Sequence, residues 1–268
     1  GTNKGGINII DASVNIFNTV RSGGAYPDLS NNFITSFFED RQSRLWIGTD
    51  GGGINVWSAD RDRFTVYQAP TLSHNVISSI AQSADQNTWI ATFGGGINRI
   101  TPGGKVTAYK LVNVDGYENT IAIRVYNDSH DNIWATTFGN GHLYLFNKAA
   151  DRFEVFGGDL GDLMSIYEDK QNDLWVGNSF QLIKIDRLNK KHEFFEIGKT
   201  VRSIYEDSKG NFWIGAEGGG LVLFDRKKRK IISRYSEKDG LSSNTLMSIV
   251  EDNFGDLWSS CSNGLNRI

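Results

Sequence analysis

A chain of 268 residues, 39% hydrophobic and 22% charged, is long enough to bury a substantial core, and its net charge of −3 leaves no basic footprint for nucleic acid. One cysteine, Cys261, excludes an internal disulfide and a multi-cysteine metal site. No apolar run approaches the ~18 residues that would cross a bilayer, and no signal peptide is recognisable.

The chain opens on GTNKGGIN (residues 1–8), which matches GTDGGGIN (48–55) with the preceding tryptophan missing. It closes on Gly264 to Ile268, where other copies continue into a further strand. The expectation is a single domain or fragment over 1–268 that starts and ends inside a repeat and belongs to a longer protein.

Between those ends one phrase recurs: ITSFFED (34–40), then LWIGTDGGGI (45–54), then its relatives. The repeat tryptophans are Trp46, Trp89, Trp134, Trp175, Trp213 and Trp258, spaced 43, 45, 41, 38 and 45 residues apart. A period near forty marks a repeat architecture. Each copy divides into four short segments separated by turn signals; in the second copy these run from Val76 to Ala81, Thr88 to Thr92, Gly96 to Ile100 and Lys105 to Tyr109. The first segment is apolar on both parities, as a strand covered on both faces requires, and with no helices to cover such sheets only radial packing against like sheets remains. The predicted fold is all-β, a β-propeller of four-stranded antiparallel blades. Six tryptophans plus one headless copy leave open a six-bladed ring or an open array cut from a larger, seven-bladed ring.

Position by position, the repeat assigns structural roles. Six residues before each tryptophan stand Asp40, Ser83, Asp128, Asp169, Asp207 and Asp252, placed to accept backbone N–H groups in a tight turn. The following turn position carries Gly210 and Gly255, or Asn172 and Asp131, as a positive-φ site needs. Ten residues before each tryptophan are Ser36, Ser79, Arg124, Ser165, Ser203 and Ser248, where a small side chain avoids crowding. Arg124 breaks that series, and either reaches into a central channel or points to the surface. The tryptophans, flanked by apolar residues, are expected in the inter-blade core. Cys261 is read as a small buried filler, and the basic run Arg226 to Lys230 as a solvated turn. The glycine steps have no following helix, which removes a nucleotide-binding reading.

The phrase EDSKGNFWIGAEGGGL (206–221), a second copy at 251–265, and the linker YSEKDGLSSN (235–244) resemble the two-component regulator propeller repeat family. That resemblance covers essentially the whole chain. It implies the periplasmic, extracytoplasmic sensor region of a membrane-anchored histidine kinase, hybrid two-component sensor or diguanylate cyclase, in which propellers precede a β-sandwich, a membrane helix and an output module. The kinase phospho-accepting histidine has no counterpart in this chain. Blades at Trp134 and Trp175 depart from the glycine step, and Gln82 with Ser83 replaces the usual Glu-Asp pair.

Propeller ligands meet the face built from loops that enter the first strand and loops that join the second to the third. The candidate ligand-binding residues there are Tyr26, Asp50, His74, Phe93, Tyr117, Glu118, Phe138, Asn140, Phe180 and Glu217, joined by Arg124 as a cation that could reach into the central channel. Aromatic rings with amides and acids suit a polyol or oligosaccharide. Three functions are consistent with this: a ligand-sensing module, a lyase or glycosidase, or a protein-binding scaffold. An enzyme needs converging carboxylates, for which Asp50 with Glu217, or Glu118 with either, are the pairs to test. The histidines His74, His130, His142 and His192 stand at unlike repeat positions, so neither a metal site nor a cofactor is expected. The expected partners are a small-molecule or oligosaccharide ligand, a second propeller or β-sandwich domain of the same parent chain, and a second copy in a homodimer.

Overall fold

Alternating turn residues and β-prone runs give strands and almost nothing else. The computed structural model describes residues 7–11, 16–23 and 28–268, in which the one helical segment is the short 3-10 turn Glu237–Asp239. The fold is the predicted all-β propeller architecture, in which each sheet's strands follow one another in sequence order. The chain divides into two compact units, Gly1–Ala135 with Tyr144–Glu154, and Thr136–Leu143 with Val155–Ile268. The opening match at residues 1–6 lies outside the described residues, as does Tyr26.

In the first unit a two-stranded sheet, Ile7–Asp11 with Ile16–Val20, precedes the Trp46 blade of Ile34–Glu39, Leu45–Thr49, Ile54–Trp57 and Phe64–Tyr67. The Trp89 blade follows with Ile77–Gln82, Thr88–Thr92, Gly96–Ile100 and Val106–Tyr109, close to the segments expected from the repeat. The Trp134 blade, through which the division between units passes, comprises Ala122–Asn127, Ile133–Thr137, Leu143–Asn147 and Arg152–Val155. In the second unit the Trp175 blade holds Ser165–Glu168, Leu174–Gly177, Gln181–Ile185 and Glu193–Glu196. The Trp213 blade holds Val201–Glu206, Phe212–Ala216, Gly220–Asp225 and Lys230–Tyr235; the Trp258 blade has three described strands, Leu246–Glu251, Leu257–Cys261 and Gly264–Arg267.

Each repeat tryptophan lies on the second strand, and all but the half-buried Trp258 are buried. They are core, as expected. Trp46 packs with Ile54 of its own blade and Leu72, Ile77, Ile80 and Ile90 of the next. Trp213 does the same with Leu221 and with Leu246, Ile249 and Leu257.

In the Trp213 and Trp258 blades the acidic pair before the turn divides its labour between two blades, the aspartate's part being common to other copies. The aspartate accepts backbone N–H groups in its own turn, for example Gln42 and Arg44 onto Asp40 Oδ1, both at 2.9 Å. Its second oxygen accepts the indole N–H of its tryptophan, at 2.7 Å for Asp40 with Trp46 and 2.9 Å for Asp207 with Trp213. Burial pushes the Asp207 carboxyl up, but the indole and Asn211 hydrogen bonds outweigh it and hold the group below its ordinary value. The preceding Glu reaches the other way: Glu206 accepts Lys170 N–H at 2.8 Å, and Glu251 accepts Ser208 N–H at 2.7 Å, each from the preceding blade's turn. In the deviant copy Gln82 takes Arg41 N–H at 3.2 Å and Ser83 Oγ takes the Trp89 indole at 3.0 Å, so both roles survive with different chemistry.

The positive-φ position recurs in every blade, as Ser43 (57°), Gln86 (65°), Asp131 (59°), Asn172 (63°), Gly210 (83°) and Gly255 (86°). A non-glycine side chain in that left-handed region is strained by about 1–2 kcal/mol. Ser43→Gly is therefore expected to raise stability by about 0.5–1 kcal/mol after glycine's extra unfolded-state entropy is subtracted. A urea midpoint that does not rise would contradict this account of the turn.

Three of the five serines, Ser36, Ser165 and Ser203, face a glycine across the ladder, while Ser79 faces Ala91 and Ser248 faces Ser260. Ser36 faces Gly48 and Ser203 faces Gly215, and a Cβ on either glycine would lie 2.2 or 2.3 Å from the serine oxygen. Cys261 corrects the sequence reading: it is half-buried, with Sγ 3.0 Å from Ser242 Oγ, because it stands on a blade less covered than the others. Arg226 is a second correction. Its backbone lies in the basic turn, but its guanidinium turns inward to Asp169 at 2.7 Å and Glu206 at 2.5 Å, while Lys227 to Lys230 remain exposed.

Candidate functional site

The two loop sets singled out in the sequence are hydrogen-bonded to each other, blade by blade. After Thr49 the chain passes through Asp50, which bridges Val76, and Gly51 and Gly53 donate to the Asn75 carbonyl at 3.2 and 2.9 Å. One blade on, Phe93 bridges Ile121, and Gly94 and Gly96 donate to the Thr120 carbonyl at 3.0 and 3.1 Å. Gly96 is required there: its φ is +72°, and a Cβ would lie 2.6 Å from the Tyr109 carbonyl oxygen.

Within the first unit this arrangement places Asp50 beside Asn31, whose side-chain amide donates to the Asp50 carbonyl at 2.8 Å. His74 sits in the equivalent loop of the next blade, but its Nδ1 accepts Val76 N–H at 3.1 Å and its ring packs against Gly94. Asn31 and Asn119 do the same through Oδ1, to Phe33 N–H at 2.7 Å and Ile121 N–H at 3.0 Å. These side chains therefore close the turn into each first strand. Asp50 is exposed, and so are the rings of Phe93, 45%, and Tyr117, 56%, the latter in the turn that leads into the short strand Glu118–Asn119. The Glu118 carboxylate pairs with Lys110 at 2.6 Å. Arg124 is half-buried and lies against the preceding blade, its Nη1 3.4 Å from the Ser78 carbonyl.

In the second unit Phe138 and Asn140 occupy a loop held by Asp162, whose Oδ1 accepts Gly139 and Gly141 N–H at 2.7 and 3.1 Å. Asn140 takes a positive φ of 61°, which its short amide tolerates. Phe180 is 63% exposed, and its carbonyl accepts Ile197 and Gly198 N–H at 2.9 and 2.8 Å. Glu217 donates its N–H to Thr200 and pairs its carboxylate with Arg202 at 2.5 Å. Position four after the tryptophan thus carries Asp50, Phe93, Phe138 and Glu217 in four blades. An aromatic or acidic side chain thus recurs at one position of the same loop.

The family model described as "Two component regulator propeller" matches residues 28–51 and 196–218, each spanning a first strand, its turn and the tryptophan strand or leading into it. No curated protein matches the chain. Among solved structures the chain is similar to the extracellular domain of a protein assigned as a hybrid two-component system in B. thetaiotaomicron, with 21% identity, 99% of this chain and 37% of that one covered, and a TM-score of 0.83. It is similar to the extracellular domain of a protein assigned as a one-component system in the same organism, with 17% identity, coverage of 91% and 34%, and a TM-score of 0.73. It is also similar to virginiamycin B lyase from Staphylococcus aureus, at 15% identity, coverage of 88% and 84%, and a TM-score of 0.69. The chain spans little more than a third of the length of the first two, and at these identities the likeness is one of fold.

Proposed function

From a chain that carries two-component regulator propeller repeats, we propose a ligand-sensing segment of an extracytoplasmic, signal-transducing receptor, bound through the face where the two loop sets meet. The observation that carries this reading is the pairing of those loops, which fixes the backbone while leaving Phe93 and Tyr117 exposed on it. A rigid loop bearing exposed rings binds without a large ordering cost. The ligand class proposed is a carbohydrate or other small polar molecule. Its signal would come from binding one arrangement of the parent receptor more tightly than another, and only that difference can shift the balance. The periplasmic location, the C-terminal output module and the neighbouring propeller or β-sandwich belong to the same proposal.

A non-catalytic role is favoured over a lyase or glycosidase because two of the three carboxylates considered for chemistry already have cationic partners, Glu118 with Lys110 and Glu217 with Arg202. No helix among the described residues is long and apolar enough to cross a membrane. Oligosaccharides that raise the melting temperature should be titrated by calorimetry against the wild type and Phe93→Ala with Tyr117→Ala. Losing two stacking rings should weaken binding by about tenfold or more while leaving stability within about 1 kcal/mol. An unchanged affinity would remove this loop from the site.

A further inference from the structure

A cleft of about 730 Å³ opens in the second unit at the opposite ends of the strands from the loops described above, beside the turns that join first to second and third to fourth strands. It runs between the Trp175 and Trp213 blades. Its volume falls in the range of sites that hold drug-sized molecules. Its apolar lining includes Phe195, Phe224, Trp175, Phe212 and Ile232. Phe195 is held in place by Phe224, 5.2 Å away, and by Trp175, 5.9 Å away, so this part of the wall is preorganised.

Ile232 is placed by a local irregularity. Leu223 pairs with Ser233 and Phe224 with Ile231, so Ile232 is the extra residue of a β-bulge and has no partner across the ladder. A bulge re-aims the side chain it carries. Here a large aliphatic group is left 45% exposed in the lining of the cleft, where alternation alone would not put it.

The charges around this apolar patch are almost all committed. Asp173 pairs with Lys184 at 2.6 Å, Glu193 with Arg229 at 2.5 Å, and Glu206 with Arg226 at 2.5 Å. Arg226 also bonds Asp169, so its guanidinium is part of the wall and is not offered to a ligand. Asp225 faces Lys228 at 3.5 Å. Lys227 lines the cleft, is exposed, and enters no ion pair among the described residues. Lys227 is thus the one lining cation that no acid among the described residues holds. We infer that this cleft binds an amphipathic organic anion, a flat apolar ring system seated on Phe195 and Ile232 with its anionic group directed to Lys227.

The probe that reproduces this chemistry is 1-anilinonaphthalene-8-sulfonate, a fused ring bearing one sulfonate, followed by fluorescence titration of the whole chain. Saturable binding at one site per chain is expected. Ile232→Asp and Lys227→Glu should each weaken it by about tenfold, since each puts a negative charge beside the sulfonate or removes its partner. Both positions are exposed, and unchanged melting temperatures would show that the fold is kept. Phe93→Ala, in a loop of the first unit, should leave probe affinity unchanged. Absence of saturable binding, wild-type affinity in either cleft variant, or loss on Phe93→Ala would overturn the assignment.

Discussion

Trp175→Ala is expected to lower the free energy of unfolding by about 3–5 kcal/mol, a large share of the roughly 5–15 kcal/mol that holds an ordinary domain together. The ring is 2% exposed and stands at the centre of the second unit's aromatic core, 5.1 Å from Phe212, 5.9 Å from Phe195 and 6.4 Å from Phe224. Its removal leaves a void lined by Leu182, Ile197 and Val201, residues anchored in sheets that cannot collapse onto one another without breaking ladders. It also takes one donor from Asp169, whose Oδ2 accepts the indole N–H at 2.8 Å. Trp175→Phe separates the two terms. It restores most of the ring volume but not the N–H, so its cost should be smaller, about 1–3 kcal/mol. Urea unfolding followed by far-ultraviolet circular dichroism would give the order wild type, Phe, Ala. A deficit under 1 kcal/mol for the alanine variant would mean that the ring is not holding these blades together.

Much of this core was legible before any coordinates, because a fixed spacing to a large residue is a strong constraint. Trp46 through Trp258 fall on the second strand, and the aspartates and positive-φ residues fall in the turn before them, since a period near forty admits few other registers. The division of labour between the glutamate and the aspartate was not legible. Backbone N–H groups in the turn already account for an aspartate there, and nothing local reveals that the neighbouring glutamate bonds the preceding blade. Arg226 shows the limit most clearly. Within a run of five basic residues it looks like its neighbours, and its partners Glu206 and Asp169 stand 20 and 57 positions away. The two loop sets named in the sequence do bond to one another, but His74 is engaged in closing a turn, which residue type alone could not reveal. The bulge at Ile232 has no signature in an alternating strand, so the cleft that it lines was invisible.

Arg226→Ala should be the second costly substitution, at about 3–5 kcal/mol, because it strands two buried carboxylates around the place of a removed cation. The guanidinium Nη1 donates to both Asp169 Oδ2 and Glu206 Oε2, at 2.7 and 2.9 Å, and the group lies 4.8 Å from the Phe212 ring. The pH dependence distinguishes this from a loss of packing. In the wild type, burial pushes the Glu206 carboxyl up, but the bonds from Arg226 and Lys170 N–H outweigh it and hold it below its ordinary value near 4.5. A depressed carboxylate binds fewer protons when folded than when unfolded, so its contribution is present above about pH 4.5 and fades as the pH falls further. Without Arg226 the balance reverses: burial and the neighbouring Asp169 charge disfavour the Glu206 carboxylate, the folded state takes up a proton first, and the variant recovers stability as the pH falls toward 5. Adding Glu206→Gln to Arg226→Ala should flatten that slope and regain part of the deficit, since one of the two stranded charges is gone. Urea midpoints between pH 5 and 8 that run parallel for wild type and Arg226→Ala would show that the carboxylates do not depend on this guanidinium, and the cost would then belong to its contact with Phe212.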